Sequence, residues 1–422
     1  MPQRNCDRTV RDVSQANKRI TLPLDLAGYQ KLVSDTQAFR AWVDTNIALY
    51  PELFPVAIKA GYTLHDQRTS VKMPDVTLRR IKLKARDAQG RQQVFTIAPS
   101  AVLPYMTGET DKVEKALFLR RFGVPFWALA YVFGRDEQYW YRLEGQMGRY
   151  DIVGTTVKDA AKLPEHLLAD EKHTRFNGDK AYIATTVGEE CVLGAAVALQ
   201  ADAPALTEAY GRFQTEAQRL NPEYQPQTVN TDGWQATKNA WRALFPLIVI
   251  IECFLHAFLN IRKRCTRKLQ DLYPEIQQSV WDVYHAADPD QFRARIATLK
   301  SWAAEHVTGA AKEAIDKLCA KADRFVLAFD HPEAHRTSNM VDRHMDPLDR
   351  WLFSARYFHG HWQSAERHVR AWAILHNFWP YCPRAKIGET YQSPAHRLNE
   401  QQYHDNWLHN LLISTSMAGV ER

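Results

Sequence analysis

The sequence lacks most of the features that announce a common enzyme class. Its 6 cysteines (Cys6, Cys191, Cys253, Cys265, Cys319 and Cys382) are scattered over 422 residues, with no Cys-x-x-Cys pair. That argues against a disulfide framework and for a reducing compartment. The opening stretch MPQRNCDRTVRD has no apolar run of the kind a secretory leader needs. The most apolar stretch, LFPLIVIIECFLHAFL from Leu244 to Leu259, is too short to cross a bilayer comfortably and carries Glu252 and His256. A cytoplasmic location with no membrane partner is expected. No P-loop, no Gly-x-Gly-x-x-Gly after a strand and no His-Glu-x-x-His occurs, so nucleotide-driven and zinc-protease chemistry lack support. No internal repeat or low-complexity segment stands out. Charge of one sign is also missing: Lys+Arg 54 against Asp+Glu 48 leaves +6, which fits nucleic acid as a partner without demanding it.

The length is enough for two or three domains. Trp 12 and Tyr 17 are high counts, serving packing or base stacking. Residues 1–75 read as helical, with LAGYQKLVSDTQAFRAWVDTNI as the clearest pattern. TLRRIKLKARDAQGRQQVFTIAP, from Thr77, reads as a β-hairpin turning at Asp87-Ala88-Gln89-Gly90. Arg79, Lys82, Lys84 and Arg86 lie along it, as DNA contacts or as the solvated face of an edge strand. Between Thr107 and Arg149 three helices are expected: Asp111 to Phe122, Pro125 to Phe133 and Glu137 to Gln146. The last two, joined at Gly134, have the helix-turn-helix pattern, with Tyr139, Arg142 and Gln146 on one side of the recognition helix. The same pattern also occurs as a plain helical hairpin.

From about 165 the pattern alternates. EHLLADEKH, KAYIATTVG and CVLGAAVALQ read as strands, then PALTEAYGRFQTEAQRL as a helix. A strand runs to Asp232, a helix spans Trp234 to Leu244, and FPLIVIIEC is a buried strand. The order is β-β-β-α-β-α-β. From His256 to about Phe329 the chain is helical, and further helices follow the loop HPEAHR. Asp232 ends a strand just before a helix. It is either a helix cap or a metal-binding carboxylate at the carboxyl edge of a sheet. Asp170 lies on the first strand of the set.

These segments resemble the bacterial insertion-sequence transposases of the Mutator-like group, with their DDE/DDD chemistry. The resemblance rests on ADEK around Asp170, TDGW around Asp232 followed by LFP, ECFLH with Cys253 and His256, and TSNMVD with Asn339 and Asp342. It covers roughly residues 165–380. It implies an α/β RNase H-like catalytic core with an all-α insertion, preceded by a mostly helical helix-turn-helix DNA-binding region with a β-hairpin. The implied divisions are 1–75, of open role; 76–160, DNA binding; 161–256, first part of the core; 257–330, insertion; and 331–422, last helices and tail. It also implies Asp170, Asp232 and Asp342 as catalytic ligands of two Mg²⁺ (or Mn²⁺) ions, with Asp170 bridging. Clustered carboxylates suit such hard cations. The family's third acid is usually Glu. Asp342 departs from that, with Asp346 one turn on and Glu252 as alternatives. Expected partners are double-stranded DNA, at terminal inverted repeats and target, and a second copy in a synaptic dimer. Cys253 and His256 read as packing or a DNA-strand contact. Arg262, Lys263 and Arg264, in IRKRCTRK, read as a solvated helix face or as phosphate contacts. Trp281 and Trp302 read as core, and His359 and His361 as loop.

Overall fold

The computed structural model describes residues 18–385 and 390–419; the side chains of Ser70, Met106, Lys268 and Asp342 fall outside that description. Strand β1 (Arg19–Leu22) precedes helices α1 (Leu26–Ser34) and α2 (Thr36–Leu49). The two helices part at Asp35, whose carboxylate accepts from the N–H groups of Gln37 and Ala38 and so starts α2. Strands β2 (Tyr62–Ser70), β3 (Met73–Arg86) and β4 (Gln92–Pro99) follow, and the four strands make a mixed sheet in the order β1-β4-β3-β2. The helical reading of residues 1–75 is therefore corrected over Arg19–Leu22 and Tyr62–Ser70, and its edge at residue 75 falls inside β3. Residues 1–17 lie outside the described residues. The expected hairpin is the β3–β4 pair, turning at Gly90.

Helices α3 (Asp111–Leu119), α4 (Phe126–Phe133) and α5 (Glu137–Met147) come next, close to the expected three, then the short α6 (Ile152–Thr156). The second sheet is built from β5 (His166–Phe176), β6 (Asp179–Gly188), β7 (Cys191–Ala198), then, after α7 (Ala203–Leu220), β8 (Thr228–Thr231), and, after α8 (Gln235–Leu244), β9 (Val249–Glu252). Its order is β7-β6-β5-β8-β9, with β5–β6–β7 antiparallel and β5, β8 and β9 parallel. The β-β-β-α-β-α-β reading is what forms. The last strand is shorter than FPLIVIIEC: Phe245 is buried against the α7 side, Leu247 is exposed, and only Val249–Glu252 pair.

Period-two alternation sends Leu168 to one face of this sheet and Leu167 and Ala169 to the other. The second face is closed by α7 and α8 through Tyr210, Phe213 and Trp241. After β9 the chain makes a helical block with its own core: α9 (Phe254–Arg264), α10 (Tyr273–Tyr284), α11 (Pro289–His306), α12 (Gly309–Ala320) and α13 (Ala322–Val326). Trp281 packs 5.1 Å from Phe258 and Trp302 stacks 5.2 Å from His306. The chain then returns to the first face with α14 (Asn339–Ser354) and α15 (Trp362–Phe378), followed by α16 (Pro394–Asn399) and α17 (Trp407–Ser414). Helix α17 joins both sheets. Trp407, Leu408 and Leu411 enter the core under α15, while Ile413 and Met417 enter the N-terminal core, and the Thr21 N–H donates to Ser416 Oγ. No helix among the described residues is long and apolar enough to cross a membrane.

In the α14–α15 layer, His344 Nδ1 and His376 Nε2 share a hydrogen bond of 2.6 Å. Burial, then His344 and Arg121, pull His376 well below its ordinary pKa of 6.5, so the folded chain holds it neutral. Below that pH the unfolded chain takes up a proton the folded one refuses. Stability is thus full above pH 6.5 and falls as pH drops, by about 1.4 kcal/mol per pH unit for such a histidine. His376→Gln should lose less stability than the parent between about pH 6.5 and about pH 5.5 in urea unfolding; equal losses would refute this.

Candidate metal centre

Asp170 has the same parity on β5 as Leu168, so its side chain belongs to the face that α14 covers. Lys172, two residues on, confirms the face by pairing with Asp349 of α14 at 2.5 Å. Strand pairing runs Leu167↔Val229 and Leu168↔Asn230. Asp170 lies two residues beyond the last of these pairs on β5, and Asp232 is the residue that follows β8, so the strand expected to run to Asp232 ends one residue earlier.

Both carboxylates are held by backbone. Asp170 Oδ1 accepts from the Glu171 N–H at 2.9 Å, and Asp232 Oδ1 accepts from the Trp234 N–H at 2.8 Å. The second bond is an Asx turn leading into α8, which begins one residue later than expected, at Gln235, with Trp234 extended. Asp232 therefore shapes the start of the helix and also presents an exposed carboxylate at the strand end. The two readings of this residue are compatible.

The turn requires Gly233. Its φ is +91°, and a Cβ there would lie 2.8 Å from Glu252 Oε2. Gly233→Ala should cost roughly 1–2 kcal/mol for the left-handed backbone alone, and more as Glu252 is displaced. A melting temperature equal to the parent's would refute this.

The other acids near this edge have separate roles. Glu171 points to the opposite face, where its Oε1 accepts from Tyr210 OH and Thr237 Oγ1, each at 2.6 Å. Burial pushes its carboxyl up to about 7, with Asp170 and Asp232 adding to the rise against those two hydrogen bonds. Glu252 is buried at the end of β9 and ion-paired with Lys238 at 2.9 Å, Lys321 at 2.7 Å and Arg324 at 2.5 Å. Burial alone would raise its pKa; the three cations outweigh it and hold the carboxyl below its ordinary value. As a third metal ligand it is corrected, since its charge is already neutralised.

The Cys-x-x-His motif fastens α14 to this edge. The Ser338 N–H, just before α14, donates to Cys253 Sγ at 3.1 Å; Cys253 Sγ and Ser338 Oγ are 3.3 Å apart, as are Ser338 Oγ and His256 Nδ1. Burial would raise the Cys253 thiol, but hydrogen bonds with His256 and Ser338 bring it below its usual value. The Phe254 N–H donates to the Arg336 carbonyl, and Asn230 Nδ2, two residues before Asp232, donates to the His335 carbonyl. Residues 335–338 are thereby tied to the ends of β8 and β9. Asn339 opens α14, exposed, and Asp342 follows within the first turn. Asp349, further along α14, pairs with Lys172 of β5. The Asp342 side chain lies outside the described residues. Asp346 is exposed one turn later. Among the described residues no group of three His, Cys, Asp or Glu stands ready for an ion.

The expected DNA contacts divide. Arg79 turns toward α2, donating to Thr36 Oγ1 at 3.2 Å with its guanidinium 5.5 Å from the Phe39 ring, which corrects its reading as an open contact. Lys82 and Lys84 alternate on the other face with Arg86 and with Arg80, which the sequence reading missed although the period of two contains it. Arg80 is paired with Asp66. On α5, Trp140, Leu143, Glu144 and Met147 are buried against α14 and α15, and a Cβ on Gly148 would lie 1.7 Å from the Arg367 carbonyl. This helix is clamped into the core: of the three expected contacts Arg142 is exposed, while Tyr139 packs 5.0 Å from Trp140 and Gln146 Oε1 is buried. At the end of α9, Arg262 and Lys263 are exposed and Arg264 bonds Asn260. His359 lies in a loop, bonded to the Arg356 carbonyl.

No family model matches this chain, and no curated protein matches it.

Proposed function

We propose that the protein is a DNA transposase of the Mutator-like kind, with an RNase H-like core, that cleaves and transfers strands at the terminal inverted repeats of an insertion sequence. The observation that carries this reading is the placement of Asp170 on β5 and Asp232 just past the end of its parallel neighbour β8, near the tethered start of the helix bearing Asp342. The strand order β7-β6-β5-β8-β9, with the acid on the central strand, supports the core assignment.

Asp170, Asp232 and Asp342 would hold two Mg²⁺ or Mn²⁺ ions, hard cations that carboxylate oxygens suit. Such ions, when bound, activate the attacking water or 3′-hydroxyl and stabilise the leaving oxygen. The protein's own part is placement. The Glu171 and Trp234 N–H groups orient the two carboxylates, and residues 335–338 hold α14 against them. Lys82, Lys84, Arg142, Arg262 and Lys263 are the exposed or half-exposed cations of the expected DNA contacts. Two element ends must be processed together, so two copies of the chain act in one synaptic complex.

The test is a cleavage and joining assay with DNA carrying the ends that flank the gene, with Mg²⁺ or Mn²⁺, beside Asp232→Asn. Metal-dependent nicking and joining lost in the variant supports a transposase. Cutting without joining would make the protein a nuclease on the same architecture. Specific binding without cutting in either protein would make it a DNA-binding descendant of a transposase.

A further inference from the structure

The three cations on Glu252 outnumber what one carboxylate needs. Lys238 is buried and takes Oε1 at 2.9 Å, which already makes a neutral pair. Lys321 and Arg324 are additional. Lys321 is the junction between the last two helices of the helical block and Arg324 is in the last of them, and their side chains are 39% and 53% exposed, so they hold charge toward solvent rather than sealing a core. Among the described residues neither has another carboxylate within ion-pair distance.

Their position relative to the aspartates follows from contacts. Lys321 Nζ lies 2.7 Å from Glu252 Oε2, and that same oxygen is 2.8 Å from where a Cβ on Gly233 would stand. Gly233 is the residue after Asp232. The surplus positive charge is thus held on the carboxylate that touches the residue after Asp232. A hard-cation site that acts on a phosphodiester needs such a neighbour, because the carboxylates repel the polyanionic strand that must approach them.

We propose that Lys321 and Arg324 form a phosphate subsite, binding the backbone of a nucleic-acid strand next to the Asp170–Asp232 edge, their charge exceeding what the one carboxylate of Glu252 neutralises. This rests on the reading of the protein as a DNA-processing enzyme. It gives the helical block a chemical role: the block contributes the cationic half of a site whose acidic half is on the sheet.

The experiment is a salt titration of duplex DNA binding without divalent metal, for the parent, for Lys321→Gln/Arg324→Gln, and for Glu252→Gln. Each phosphate contact contributes about 0.9 to the slope of log affinity against log salt, so the double variant should bind more weakly with a slope reduced by about 1.8. Glu252→Gln keeps both cations and should bind at least as well as the parent. An unchanged slope in the double variant overturns the subsite while leaving the DNA-processing reading standing. An equal loss of slope in Glu252→Gln also overturns it, because the effect would then come from a loosened helical block. A parent that shows no DNA binding removes the functional reading and the subsite with it.

Discussion

Glu144→Ala will destabilise the protein by about 3–5 kcal/mol, the range for stripping one partner from a buried ion pair. Glu144 and Arg120 are 0% and 1% exposed and meet at 2.7 Å. Burial would raise the Glu144 carboxyl, but Arg120 and His368 hold it down to about 2, so it is charged throughout the ordinary pH range. Trp351 Nε1 donates to the same oxygen, and the Arg120 guanidinium stands 4.2 Å from the Phe126 ring and donates to the Val124 carbonyl and Ser354 Oγ. One carboxylate thus joins α5 to α14 and α15, and its loss leaves a buried arginine without its counter-charge. Glu144→Gln keeps shape and one acceptor and should cost less than alanine. Denaturant unfolding checks both; an alanine variant within about 1 kcal/mol of the parent would show that Arg120 escapes to solvent.

Asp170→Asn and Asp232→Asn should each lower metal-dependent cleavage by about 10³-fold or more, since each removes a ligand whose metal supplies several kcal/mol of charge stabilisation. The fold should not suffer. An amide oxygen accepts as well as a carboxylate oxygen, so the Trp234 N–H keeps its partner and the turn into α8 survives. In chelator the variants should melt at or slightly above the parent temperature, because a charge facing another like charge has gone. Added Mg²⁺ should raise the melting temperature of the parent and leave the variants unmoved, as ligand binding to the folded state alone requires. A parent indifferent to Mg²⁺, or a variant that cuts at the parent rate, would end the metal-centre reading.

Local signals carried the second sheet. Its first three strands are bounded by turn residues, Asn177-Gly178 and Gly188-Glu189-Glu190, and its alternation is regular, so Asp170 and Asp232 could be assigned to strand positions from sequence. Strand β2 had no such signal. His65, Asp66, Gln67 and Arg68 do not alternate, and the strand exists because β3 offers it partners. The register shift between Leu64 and Gln67 sits opposite the Arg79–Arg80 step of β3, which is where the reading selected the inward arginine over its neighbour. The third helix of the helix-turn-helix pattern looked open because the helices that cover it arrive some 200 residues later. The same holds for Glu252, whose partners Lys321 and Arg324 lie far along the chain and leave no trace in the sequence around it. What was legible depended on neighbours in sequence, and what was missed depended on distant segments meeting.

Helix α17 sets a schedule for synthesis. The N-terminal sheet is complete in sequence by Pro99, yet its core takes Tyr403, Ile413 and Met417, and β1 is bonded to Ser416. At roughly 5–20 residues per second, the ribosome needs on the order of 20–80 s to pass from the first strand to these residues. Through that interval the nascent sheet carries an apolar gap that only the late helix fills. A message cut short before Trp407 would yield chains whose first sheet is made but whose two halves are not joined, and such chains would be open to chaperones and proteases.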